Sequence, residues 1–143
     1  MSDRVSESQR QAIITRAGGC CEYCQSQLKY SPDSFATEHI VPRSLGGQTS
    51  LDNLALACLG CNGYEYNKVE AVDPATEQFV PLYHPRKERW SDHFSWNEAC
   101  THIIGLSPTG RATIEVLHLN RQSLVNLRRV LFASGEHPPE PII

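Results

Sequence analysis

No run of about eighteen apolar residues occurs in the chain, which removes a membrane-spanning helix from the expected elements. No apolar stretch follows the polar start Met1-Ser2-Asp3-Arg4, so no secretory signal is visible and a reducing cytoplasm is the expected setting. An excess of positive charge is also lacking: 13 Lys and Arg face 16 Asp and Glu, for a net charge of −3. That balance argues against a surface coated with cations for nucleic acid, while leaving room for a local basic strip. There is no internal repeat. Disorder throughout is excluded in turn, because 40% hydrophobic and 20% charged residues are ordinary for a folded domain. At 143 residues the expectation is one compact unit, a small core with an attached extension.

What the chain does have is cysteine in pairs. Four of its six cysteines form two Cys-x-x-Cys units, Cys21/Cys24 and Cys58/Cys61. Without an export signal, such pairs read as metal ligands rather than disulfides. Thiolate sulfur suits Zn²⁺, and two knuckles complete a tetrahedron. Four sulfurs leave no position for water, so the zinc is expected to be structural. A redox use of one pair would leave the other idle. Cys20 and Cys100 remain as ordinary thiols, with Cys20 a substitute ligand beside Cys21.

Local patterns predict the elements around these pairs. Ser6 and Gln9 have capping-box spacing at a helix entry, Ile13, Ile14 and Ala17 give that helix an apolar face, and Gly18-Gly19 ends it. Phe35 to Val41 is prone to form a strand stopped by Pro42, and Leu54 to Cys58 a second. A short helix is expected from Asn62 to about Val69, with Gly60 in a tight turn before it. The character changes after Asp73-Pro74, giving expected units 1–72 and 73–143, the second packed on the first. Within it, Phe79 to Tyr83 and Ile103 to Leu106 read as strands, Ser107 to Gly110 as a turn and Ala112 to Leu117 as a helix. Asn120 is the expected cap of a last helix with Leu124, Leu127, Val130 and Leu131 on one face. Trp90, Phe94 and Trp96 are expected to pack on the core, and Pro138, Pro139 and Pro141 to extend the tail.

Between and beside the cysteine pairs stand Glu38-His39-Ile40-Val41-Pro42-Arg43-Ser44, Gly46-Gly47, Asp52-Asn53-Leu54 and, next to Cys61, Asn62. In this order and spacing the chain resembles the HNH endonucleases, from Cys21 to about Lys68, about a third of its length. The resemblance implies an α+β fold: a ββα-metal (His-Me finger) core with structural zinc, preceded by a helix and followed by a mixed strand and helix extension. It implies a nuclease that hydrolyses DNA, in its double-stranded form, to 5′-phosphate and 3′-hydroxyl ends with Mg²⁺ or Mn²⁺. His39 matches the general base, Asn53 the residue that pins the loop behind it, and Asn62 with Glu38 the ligands of the catalytic metal. Glu38 stands where an Asp is frequent.

The chemistry is coherent, since a hard cation accepts carboxylate and amide oxygens and imidazole is partly neutral near pH 7. Two points stay open. Adjacent residues of a regular strand face opposite ways, so Glu38 and His39 share a site only if the strand ends or bulges there; otherwise Glu38 is a surface carboxylate. Asn62 could also simply cap its helix. Arg43, Lys68, Arg86 and Lys87 are candidate phosphate contacts, and Arg121, Arg128 and Arg129 mark an expected exposed helix face. A non-cleaving, zinc-stapled module that binds nucleic acid on the same scaffold is the alternative; it would have no need of His39 beside a carboxylate. His84, His93, His102, His118 and His137 match no ligand spacing.

Overall fold

A computed structural model describes residues 4–65 and 67–140; the expected extension at Pro141 and the polar start Met1 to Asp3 lie outside them. The first helix, α1 (Glu7–Arg16), begins as its sequence dictates. Ser6 accepts a hydrogen bond from the Gln9 backbone, and the Gln9 side chain accepts one from the Ser6 backbone. Such a cap contributes about 1 kcal/mol. Ile13 and Ala17 are buried, and Gly18 and Gly19 turn the chain out with φ of 62° and 71°, a region open to glycine without strain.

The hairpin follows: β1 (Ala36–His39) pairs antiparallel with β2 (Leu54–Ala57), Glu38 opposite Ala55 and His39 opposite Leu54. All four residues of β2 are buried, because α1 covers one side and later elements the other. Arg16 of α1 donates to the carbonyls of Leu51 at 2.7 Å and Leu54 at 2.6 Å, fixing the entry to β2. Helix α2 (Leu59–Glu65) starts three residues earlier than the pattern suggests and ends sooner. Its first turn is the second cysteine knuckle itself, closed by the Asn62 amide donating to the Cys58 carbonyl at 2.9 Å. Gly60 therefore serves packing rather than a tight turn: a Cβ there would run into the Arg121 guanidinium.

A strand that the sequence pattern missed, β3 (Glu70–Val72), pairs with β4 (Phe79–Pro81). The 72/73 division falls in the turn of this hairpin. Asp73, fully buried, organises that turn by accepting from the Ala75 amide, the Thr76 hydroxyl and both guanidinium arms of Arg111. Hydrogen bonds from Arg111 hold its carboxyl well below the usual range. A helical turn, α3 (Trp90–His93), leads into a third hairpin, β5 (Phe94–Trp96) with β6 (Ile103–Gly105).

Two helices close the chain, and both correct the sequence expectation. Helix α4 (Pro108–Leu117) absorbs the expected turn, because Ser107 caps it by accepting from the Gly110 amide and Pro108 fits its first position. Before α5 (Gln122–Ala133), Asn120 does not cap; it bonds both backbone groups of Ile103, at 2.7 and 2.9 Å. The buried face of α5 carries Leu124, Val125 and Arg128, while Val130 is 66% exposed. Trp90 and Trp96 pack against one core that also contains Ile13, Leu54, Leu56, Phe94 and Leu117. No helix among the described residues is long and apolar enough to cross a membrane.

Candidate metal and nuclease site

The two knuckles bring four thiols together. The Sγ atoms of Cys21, Cys24, Cys58 and Cys61 all lie within 4.8 Å of one another, and all four residues are buried. A zinc tetrahedron with Zn–S near 2.3 Å requires sulfurs roughly 3.8 Å apart; Cys24 and Cys58 stand at 3.7 Å. The donor set and spread fit that ion, and Cys20 is not part of the cluster. Burial pushes the Cys21 thiol up, whereas hydrogen bonding from Cys21 and its neighbours holds Cys58 down.

Two arginines surround the sulfurs. Arg121 points one guanidinium nitrogen at Cys58 Sγ (3.3 Å) and another at Cys61 Sγ (3.7 Å). Arg128, 3% exposed, lies with its guanidinium over the Trp96 ring. Neither marks an exposed face. Only Arg129 among the three is exposed. A tetrathiolate zinc centre carries two negative charges, so these cations offset charge that burial would otherwise make costly. Between the first two cysteines, Glu22 binds the hairpin: its amide donates to the Leu56 carbonyl and its carboxylate accepts from the Leu56 amide. The same carboxylate pairs with Arg86. Arg86 is thus already matched, and Lys87 and Arg89 are the exposed cations of that stretch.

His39 closes β1, half-buried, with Nε2 at 2.8 Å from the Thr49 hydroxyl. The loop between them is held by Asn53. Its carbonyl oxygen accepts from the Val41 amide, and its amide nitrogen donates to the carbonyls of Val41 and Gln48. Gly47 has to approach this knot closely. A Cβ there would overlap the Val41 carbonyl and press on Asn53 Nδ2 at 2.9 Å. Gly47→Ala is therefore expected to destabilise the chain by about 1–3 kcal/mol. Urea unfolding checks this, and a midpoint equal to wild type would refute the tight approach.

The register of β1 runs without a bulge to His39, where the strand ends, which is the condition under which Glu38 and His39 can serve one site. Glu38 is no surface carboxylate. It is 5% exposed, directed to the side where α2 packs, near Tyr23 and Glu65. Asn62 lies half-buried on α2. Arg43 is exposed on the turn after Pro42, and Lys68 donates to the Tyr64 carbonyl at 2.7 Å at the end of α2. Thr49, Tyr23 and Glu65 were not singled out from sequence, and Arg121 was placed there on an exposed helix face rather than beside the sulfurs. Only Glu65 had a local signal, four residues after Cys61 and so on the same helix face.

A four-thiol staple around a β-hairpin and its following helix defines a zinc-fitting ββα unit. Residues 21–68 match the family model described as HNH endonuclease. Septu protein PtuB of Bacillus thuringiensis is 26% identical over 125 residues, covering 86% of this chain and 45% of that protein. The chain thus spans less than half the length of that relative. No solved structure gives a significant match.

Proposed function

We propose that this chain is a divalent-metal-dependent endonuclease that hydrolyses phosphodiester bonds in double-stranded DNA. The observation that carries this reading is the fixed imidazole of His39 at the end of β1. Thr49 ties one ring nitrogen, and Asn53 holds the loop that carries Thr49. An imidazole so oriented can take the proton from water as it attacks phosphorus. Asn53 works through backbone geometry and touches no reacting atom.

Glu38 and Asn62 are the groups that would hold the cation. Both Glu38 oxygens are buried and lack a hydrogen-bond partner, which suits a carboxylate awaiting a hard ion. When bound, such an ion stabilises the charge that develops on the phosphate and the departing 3′-oxygen. Zn²⁺ at the four cysteines would keep the hairpin and α2 in register and take no part in the chemistry. Exposed Arg43 and Lys87 are the candidate backbone contacts.

His39→Ala is expected to lower plasmid nicking in Mg²⁺ or Mn²⁺ by about 10²–10⁴-fold, with zinc content and melting temperature kept. Nicking at the wild-type rate would defeat the assignment of His39. A wild-type chain that never nicks yet binds DNA with steep salt dependence would instead be the non-cleaving module.

A further inference from the structure

Two polar groups, the Glu38 carboxyl and the Tyr23 hydroxyl, are buried beside α2 without a hydrogen-bond partner, and a second buried carboxyl, Glu65, stands next to them. Glu38 is 5% exposed, and neither of its oxygens has a hydrogen-bond partner. Glu65, on the last turn of α2 and also 5% exposed, stands close enough for each carboxyl to perturb the other. The Tyr23 hydroxyl, 2% exposed and likewise unpartnered, faces both. Among the described residues, no Lys, Arg or His forms an ion pair with either carboxylate.

Burying an unpaired carboxylate costs several kcal/mol, and a second one facing it adds like-charge repulsion. One shared proton would remove a charge but leave most of the lone pairs unanswered. A divalent cation answers charge and lone pairs together. Two carboxylates and a phenol are an all-oxygen donor set, which selects a hard ion over zinc.

We propose that Glu65 is a protein ligand of a divalent, oxygen-preferring cation held between β1 and α2, together with Glu38 and with the Tyr23 hydroxyl at its margin. Asn62, three residues before Glu65, lies on the adjoining part of the same helix surface and can reach the same ion. This deepens the nuclease reading by adding a second carboxylate, and rests on it only for what the ion does.

The test is Mn²⁺ binding to the full, zinc-loaded chain, read by the loss of the free Mn²⁺ paramagnetic signal and by the melting temperature. The wild type should bind Mn²⁺ and melt higher in its presence. Glu65→Gln should weaken Mn²⁺ binding by at least the roughly 10–100-fold that loss of a ligand's supporting partner costs and lose the Mn²⁺-dependent rise, with zinc content unchanged. Glu65→Asp should recover part of the affinity. Should Glu65→Gln fail to fold, the Glu65→Asp variant and Glu38→Gln carry the comparison, each with weakened binding. Wild-type Mn²⁺ affinity in Glu65→Gln or, if that variant does not fold, in both of the others overturns the assignment and leaves a pair sharing a proton. Mn²⁺ binding that needs Glu65, in a chain that never nicks DNA, keeps the cation site and defeats only the nuclease reading.

Discussion

Removing the zinc, or replacing Cys58 with serine, is expected to unfold the hairpin and α2 together. In small metal domains the bound zinc contributes about 10–16 kcal/mol of apparent binding energy to folding, against a total stability of about 5–15 kcal/mol for an ordinary domain. The geometry explains why the loss would spread. Cys21 and Cys24 flank the Glu22 contact to β2, while Cys58 and Cys61 flank the start of α2. Without the ion, two elements lose their common anchor, and Arg121 and Arg128 face each other's charge with less to offset it. The measurement is circular dichroism during titration with a strong chelator, with released zinc assayed in parallel. A chain that keeps its full signal after losing its zinc would show that the sulfurs are incidental to the fold.

Arg128→Met is expected to cost about 3–5 kcal/mol, the size found when one side of a buried charge pair is removed. Although methionine preserves much of the volume, it abandons the Leu119 carbonyl at 2.7 Å, the Thr101 carbonyl at 3.0 Å and the Asn120 side chain at 3.2 Å. Those acceptors are buried or half-buried, so each loses its partner without gaining water. The stack on Trp96 and the favourable field of the sulfurs go as well. The melting temperature should fall by about 10–15 °C. Arg129→Met, one residue along on the exposed face, should shift it by less than about 2 °C. Equal shifts for the two would mean that Arg128 is not structural.

The contrast between these neighbours shows where sequence reading stops. On α5, Leu124, Leu127, Val130 and Leu131 suggest one apolar face, yet the helix turns Val130 outward and Arg128 inward. Hydrophobic periodicity cannot register a buried cation whose partners are a distant cluster of four thiols and backbone carbonyls from other loops. Asn120 misleads in the same way: its side chain has a better offer from Ile103 of β6 than from the helix beside it. The start of α2 was misjudged because a Cys-x-x-Cys unit reads as a turn, and here that turn is also the first turn of the helix.

Within the candidate site the division is equally physical. The cysteine spacing, the Ser6 cap, the two strands of the hairpin and the order of Glu38, His39, Asn53 and Asn62 are written in short stretches, because capping, knuckle formation and strand alternation act over a few residues. Sequence alone therefore determined a zinc-fitting hairpin and helix of the HNH type. Only the tertiary structure decided that Glu38 is buried against Glu65 and Tyr23, that Arg86 is taken by Glu22, and that Arg121 and Arg128 guard the sulfurs. Charge and desolvation at those places depend on which groups folding brings together from afar, and no local spacing encodes that meeting.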